Sequence, residues 1–201
     1  YLTLFAFSTE NWNRPSAEVR GLIAILREVI GREVKRLHKQ GVRIRHLGQL
    51  DRLSPELQRA MLDSIALTQD NTGLTLSVAF DYGGRSEIIN AVRRVVEDRI
   101  PPEDITEDLF RKYLFTTDIP DPDLIIRTAG EMRLSNFLLW QSAYAEYYAT
   151  SVLWPDFGEE EVECAVLGHF REDGKLRLIH DEEVVGELDV QFLHNGRPDI
   201  V

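Results

Sequence analysis

The sequence predicts an α/β domain, a largely parallel β-sheet flanked by helices, followed by a short β-rich tail. Three observations carry that prediction. Apolar strand-like runs alternate with amphipathic helical segments from Tyr1 to Pro155, the rhythm of parallel βαβ units. Glycine-rich, proline-rich or polar stretches stand where each strand would hand over to the next helix. Beyond about Phe170 the rhythm changes to short runs of alternating apolar and polar residues, the pattern of antiparallel strands. The boundaries that follow are a domain over 1–170 and a tail over 171–201. At 201 residues, 43% apolar and 28% charged, the chain has the length and composition of one water-soluble domain with a substantial core.

Taken in order, Tyr1–Phe7 is a continuous aromatic and aliphatic run that reads as a buried strand. A chain that opens inside a core strand is expected to lack an upstream portion. The loop Ser8–Pro15 leads to a helix with Ser16 as its cap and Glu18 in its first turn. From Val19, residues Leu22, Ile23, Leu26, Val29, Ile30, Val34 and Leu37 follow helical spacing, and the helix ends at Gly41. Ile25 widens that apolar face, either as extra core or as the wall of a ligand tunnel. Val42–Leu47 is a second strand; Ser54 caps a helix with Pro55 at its first position, running to about Thr68. After the Asn71-Thr72-Gly73 turn, Leu74–Phe80 is a third strand, and a helix covers Glu87–Glu97. Pro101-Pro102 breaks the chain, Thr106 starts a short helix, and Leu124–Ile126 and Tyr147–Trp154 are further strands. In the tail, Lys175–Ile179 and Glu183–Val190 form the antiparallel pair.

The net charge of −11 argues against a nucleic-acid partner, because backbone phosphates repel an acidic surface. Residues 156–189 hold twelve Asp or Glu against three Lys or Arg, so the acidity belongs to the tail. No apolar run approaches the roughly 18–20 residues of a membrane-spanning helix. A single cysteine, Cys164, forms no internal disulfide, and cytoplasm is the expected compartment.

Nucleotide loops, Cys-x-x-Cys, His-Glu-x-x-His and nucleophile-elbow patterns are all absent. His38, His46, His169, His180 and His194 are scattered without ligand spacing and read as surface residues. Arg127 and Arg133 stand six residues apart after a predicted strand. Planar guanidinium forks suit an oxyanion, and solvated strand and loop ends explain them equally. Gly83-Gly84 between strand and helix serves either anion binding by backbone amides or close packing. Glu146 is a single carboxylate, sufficient for a Mg²⁺ that takes its other ligands from phosphate and water, or a plain solvated glutamate. Together these residues suit a diphosphate with an apolar tail.

Four ordered motifs carry a resemblance. Ala6-Phe7-Ser8-Thr9-Glu10-Asn11-Trp12-Asn13-Arg14-Pro15, Asp81-Tyr82-Gly83-Gly84-Arg85, the stretch from Arg127 to Glu146, and Leu153-Trp154-Pro155-Asp156-Phe157 closely resemble the cis-prenyltransferases, on their bacterial undecaprenyl diphosphate synthase branch. The resemblance covers about residues 1–170. It implies a parallel-sheet homodimer with an apolar product tunnel, in which a Mg²⁺-bound allylic diphosphate, usually farnesyl diphosphate, is extended by isopentenyl diphosphate units with new cis double bonds. Carried over position by position, it implies that Arg127, Arg133, Leu134 and Ser135 hold isopentenyl diphosphate and that Glu146 joins the Mg²⁺ site. Ser8, Thr9, Glu10, Trp12 and Arg14 would shape the substrate site, and the Asn11 amide would assist proton removal from the condensing unit. The product would be delivered to a membrane by an enzyme at most peripheral to it.

Three departures accompany the resemblance. The family's first strand and its Asp-Gly-Asn-Gly-Arg-Trp loop have no counterpart in these residues, so reduced activity of this chain is expected. Asp81 stands where the family usually has asparagine, adding negative charge near a phosphate site. An acidic tail replaces the family's basic C-terminal segment. The alternative from another class is a non-catalytic subunit that binds a cis-prenyltransferase, and a generic phosphate-binding α/β module stands behind it.

Overall fold

A computed structural model describes residues 1–158, 175–180 and 183–189. It divides the chain into two compact units, Tyr1–Pro155 and Asp156–Val201. In the first, strand β1 (Leu2–Ser8) leads through a 3-10 turn at Thr9–Asn13 into helix α1 (Ser16–Lys39). Strand β2 (Arg43–Leu47), helix α2 (Pro55–Thr68), strand β3 (Thr75–Tyr82) and helix α3 (Gly84–Glu97) follow. A short helix α4 (Glu107–Arg111) precedes strands β4 (Leu124–Arg127) and β5 (Glu146–Ala149). The second unit holds β6 (Lys175–His180) and β7 (Glu183–Asp189).

The expected α/β class holds. Strands β1, β3 and β2 form a parallel sheet in that order, β4 and β5 form a parallel pair, and β6 and β7 pair antiparallel. In the three-stranded sheet the parallel arrangement follows from the α1 and α2 crossovers, since a two-residue turn cannot bring the chain back parallel. Where local chemistry sets a boundary, expectation and structure agree. Ser54 caps α2 by accepting a hydrogen bond from the Leu57 N–H, and Thr106 caps α4 in the same way through the Leu109 N–H.

Elsewhere the structure differs. Ser16 does not cap α1; it lies inside the helix, and Pro15 occupies the capping position. The proline carbonyl takes the Glu18 and Val19 N–H groups, so no side-chain cap is needed. Strand β1 is not buried along its length, because it is an edge strand beside β3 and only Phe7 is enclosed. Strand β5 stops at Ala149 rather than Trp154. Thr150 gives its N–H to the Arg127 carbonyl, and Thr150 and Val152 then accept from Gly130 and Ala129, which turns the chain over the end of β4. His38 and His46 are not surface residues: both are half-buried, His38 Nδ1 lies 3.2 Å from Asn71 Nδ2, and His46 Nε2 lies 2.8 Å from the Phe80 carbonyl. His169 and His194 lie outside the described residues.

The core that positions the C-terminal ends of the strands has two parts. Phe7, Phe80, Leu53, Leu57 and Met61 receive the α1 row Leu22, Ile23, Leu26 and Ile30 on one face. On the other, Leu47, Ala79, Tyr82 and Leu138 receive Phe5, Phe115 and Phe137. Phe7 stacks on Phe80 at 4.8 Å and Phe5 on Phe137 at 4.7 Å, locking the last residues of β1 to its neighbours.

Candidate functional site

The site forms where strands end. A register irregularity between Phe5 and Phe7 in the β1–β3 ladder re-aims the end of β1, so the chain tightens at once into the Thr9–Asn13 turn. Its first bond is local: the Ser8 N–H donates to Asn11 Oδ1 at 2.8 Å. The carboxamide of Asn11 therefore closes the turn through its oxygen. Thr9 Oγ1 donates to Glu10 Oε2 at 3.1 Å, and Asn136 Nδ2 donates to Glu10 Oε1 at 2.8 Å. Burial works against the Glu10 carboxylate, but its own backbone and the Asn136 and Thr9 donors outweigh it and hold the pKa below the usual value.

Asn136 is the hub that the sequence reading missed. Besides reaching Glu10, its Oδ1 accepts from the Arg85 N–H at 2.9 Å and its carbonyl accepts from the Gly84 N–H at 2.7 Å. These bonds spend the amides that open α3, so the two glycines serve close packing. A Cβ on Gly83 would sit 2.6 Å from Thr9 Oγ1 and 2.8 Å from Asn136 Nδ2. The missed signal lay in residue type: Ser135 and Asn136 adopt φ of 49° and 65°, and asparagine is among the few residues that tolerate this left-handed region.

Arg127 ends β4, and Arg133 and Ser135 follow in the same loop. The two guanidiniums converge on one carboxylate: Arg127 bonds Glu131 Oε2, and Arg133 NH2 lies 2.5 Å from Glu131 Oε1. Ser135 Oγ lies 3.5 Å from Arg127 NH2. The Arg127 Nε–H is buried and has no acceptor among the described residues. Bonding to Arg127 holds Glu131 below the ordinary carboxylate range. Two converging guanidiniums, a hydroxyl and an orphaned donor make a cradle for an oxyanion larger than the carboxylate it now holds. Leu134 is half-buried beside it, and its carbonyl accepts from the Phe137 N–H.

Three expected residues stand apart from this cluster. Arg14 is exposed and pairs with Glu18 at 3.7 Å on the surface of α1. Trp12 turns away from Glu10 and donates its Nε1–H to Asp81 Oδ1 at 2.7 Å. Asp81 therefore adds no charge to an open phosphate site; its side chain is buried against Trp12. Glu146 begins β5 opposite Leu124, whereas Arg127 is opposite Ala149. Three residues at about 3.3 Å each set Glu146 roughly 10 Å from the arginine end along the ladder. No group of three or more His, Cys, Asp or Glu able to hold a metal exists among the described residues. The exposed Glu146 offers a single carboxylate, which fits Mg²⁺ only where substrate and water supply the other ligands.

Behind β1 lies an apolar cavity of about 320 Å³ between α1, α2 and the sheet, lined by Leu4, Leu22, Leu26, Ile30, Val78 and Phe80 among others. Ile25 lines it and is 58% exposed, so it is cavity wall rather than core.

Residues 1–175 match a prenyltransferase family model described as undecaprenyl diphosphate synthase. An isoprenyl transferase from Clostridium perfringens is 48% identical over 180 residues, covering 88% of this chain and 71% of the relative. The chain belongs to the isoprenyl transferase family. A ditrans,polycis-undecaprenyl-diphosphate synthase specific for (2E,6E)-farnesyl diphosphate, from Aliivibrio fischeri, is 48% identical over 169 residues, covering 82% of this chain and 66% of the relative. Lavandulyl diphosphate synthase from Lavandula x intermedia, solved with dimethylallyl diphosphate, superposes with a TM-score of 0.75 at 40% identity, covering 80% of this chain and 71% of that one. The chain is thus an enzyme of the prenyltransferase type. No helix among its described residues is long and apolar enough to cross a membrane.

Proposed function

We propose that this isoprenyl transferase condenses isopentenyl diphosphate onto an allylic diphosphate, farnesyl diphosphate in the first cycle, to build a long cis-polyprenyl diphosphate such as undecaprenyl diphosphate. The observation that carries the reading is the Arg127–Glu131–Arg133 clasp with Ser135 and the unpaired Arg127 Nε–H beside it. A diphosphate brings more charge and more acceptors than Glu131, so it displaces that carboxylate and engages both forks. In each cycle the allylic carbon–oxygen bond breaks, a carbon–carbon bond forms to the isopentenyl double bond, and the isopentenyl unit loses one proton as diphosphate departs. The arginines stabilise the charge on the diphosphates. Asn11, whose oxygen already accepts from Ser8, assists the proton loss by holding the turn, since a neutral carboxamide is a poor base.

Ser8, Thr9, Glu10, Trp12 and Arg14 shape the rest of the substrate site in this reading, and the cavity under α1 receives the growing apolar chain. Mg²⁺ neutralises diphosphate when bound, and Glu146 is the residue that would hold it. A second copy of the chain is the partner we assign to the exposed Tyr147 and Tyr148 of β5. The enzyme works in the cytoplasm, at most peripheral to the membrane that takes its product. Relatives named as an isoprenyl transferase and as an undecaprenyl-diphosphate synthase, each 48% identical over its matched length, support the chemistry.

The deciding experiment measures incorporation of radiolabelled isopentenyl diphosphate into farnesyl diphosphate with Mg²⁺, using this chain beside the Clostridium perfringens relative. Cis-polyprenyl product from this chain, at a turnover below that of the relative, is the expected result; no such product from this chain overturns the reading. Binding of isopentenyl diphosphate to wild type and Arg133→Ala separates it from a non-catalytic partner subunit, for which the two proteins bind alike.

A further inference from the structure

Ser135 and Asn136 stand side by side with φ of 49° and 65°, two consecutive left-handed residues without a glycine between them. Such a backbone persists only where its surroundings over-determine it. Asn136 supplies that restraint at three points. Its carbonyl accepts from the Gly84 N–H at 2.7 Å and its Oδ1 from the Arg85 N–H at 2.9 Å, which ties it to the start of α3. Its Nδ2 donates to Glu10 Oε1 at 2.8 Å, in the turn that follows β1. The next residue, Phe137, stacks on Phe5 at 4.7 Å, and Leu138 is buried in the core. Met132, Arg133 and Ser135, by contrast, are exposed. Asn136 is therefore the point where the arginine-bearing loop enters the rigid body of the domain.

We propose that Asn136 is a positioning residue for prenyl transfer: its carboxamide fastens the Glu10 carboxylate, one residue before Asn11, to the loop of Arg127, Arg133 and Ser135, and so holds the isopentenyl unit and the Asn11 turn at one fixed offset. The inference rests on the prenyl-transfer reading and adds to it a residue that acts through Glu10. The chemistry of the tie is specific. Oδ1 accepts from a backbone N–H while Nδ2 donates to a carboxylate, and among side chains of this length only asparagine does both. Asparagine is also among the few residues that tolerate φ of 65°. Aspartate would keep the Arg85 bond but set a second carboxylate against Glu10. The diphosphate contacts belong to the arginines, so loss of the tie leaves binding in place and displaces the reacting atoms. A displacement of about 1 Å suffices to cost as much as roughly 10²-fold in rate.

The test is a reciprocal exchange in this chain. When Asn136→Asp is combined with Glu10→Gln, the glutamine amide donates to the aspartate carboxylate, the Thr9 hydroxyl finds its acceptor in the glutamine oxygen, and the Arg85 N–H keeps its own. Incorporation of labelled isopentenyl diphosphate gives kcat and KM for the wild type, both single variants and the pair. Asn136→Asp is expected to lower kcat roughly tenfold or more, with KM for isopentenyl diphosphate within about threefold. The pair is expected to lose at least about fivefold less than the two single losses multiplied together. Losses that simply multiply, or a loss carried by KM, overturn the proposal.

Thermal melts of the same four proteins separate positioning from folding, with turnover assayed below every midpoint. An Asn136→Asp variant that melts earlier yet turns over at the wild-type rate shows a structural role alone, which also overturns the proposal. If Asn136→Asp does not fold, Glu10→Ala breaks the same bond from the exposed side, and a wild-type kcat in that variant overturns the proposal. Absence of product from the wild type sinks the prenyl-transfer reading instead. The melts then decide the tie itself: it stands if the pair regains most of the roughly 2–4 °C that Asn136→Asp is expected to lose, and falls if it does not.

Discussion

Glu87 sits in the first turn of α3, where a glutamate is usually solvated, yet it is only 2% exposed. Its carboxylate accepts from Tyr82 Oη at 2.5 Å and from the Phe115 N–H at 2.8 Å, and Gln141 Nε2 lies 3.2 Å from each oxygen. Truncation in Glu87→Ala leaves the Tyr82 hydroxyl and the Phe115 N–H without their acceptor and Gln141 Nε2 with Thr116 Oγ1 alone. At about 1–3 kcal/mol for each unsatisfied group, less what water recovers in the space left behind, the expected loss is about 3–5 kcal/mol. That is a large part of the roughly 5–15 kcal/mol that holds a domain together. Glu87→Gln keeps shape and one acceptor and is expected to lose only about 1 kcal/mol. Burial raises the Glu87 pKa, with the Tyr82, Gln141 and Phe115 donors opposing. A folded pKa above the unfolded one means the carboxyl's advantage is complete below the unfolded value and is lost as pH rises through the folded value. Wild type should therefore exceed Glu87→Gln most below the ordinary glutamate range, and the gap should shrink as pH rises above it. Urea unfolding midpoints at several pH values measure all three quantities. A Glu87→Ala variant within about 1 kcal/mol of wild type, or a gap that widens with pH, would refute the reasoning.

Gly83→Ala should destabilise by about 1–3 kcal/mol, because its Cβ would press on Thr9, Asn136 and Ser86; a thermal midpoint equal to wild type contradicts the contact set. Arg133→Ala should weaken isopentenyl diphosphate binding tenfold or more, and Glu131→Gln should strengthen it by no more than roughly fivefold, since the competing ion pair is largely exposed. Titration calorimetry reads both, and weaker binding in Glu131→Gln would show that the carboxylate supports the site rather than occupying it. Val78→Phe narrows the apolar cavity and should shorten the polyprenyl product; chromatography of the extracted chains showing an unchanged length distribution would place the growing chain elsewhere.

How much of this was legible in the sequence depended on the distance over which each feature is decided. The ends of α2 and α4 are set within four residues, by Ser54 with Pro55 and by Thr106, and were readable. The spacing of Arg127 and Arg133 was readable too, as was the polar turn Ser8–Arg14. Pro15 supplanted Ser16 because a carbonyl did the capping, which side-chain chemistry does not announce. Strand β5 carried strand-forming residues to Trp154, but the bonds from Thr150 and Val152 back to the Arg127–Gly130 segment ended it sooner. Trp12 and Asp81 are 69 positions apart, and Glu10 and Asn136 are 126 apart; nothing local marks either pair. Glu87 showed only the acidic first turn of a helix, and its burial depends on Tyr82, Phe115 and Gln141 arriving from three directions.

The Arg127–Glu131–Arg133 clasp also sets a threshold. Because the chain supplies its own anion, the cradle carries one net positive charge rather than two, and a visitor binds only by outcompeting a tethered carboxylate present at high effective concentration. Monoanions of similar charge, chloride or acetate among them, have little to offer in that exchange. A ligand with several ionised oxygens does, so the same loop that holds a diphosphate also filters out the small anions that crowd around any exposed arginine.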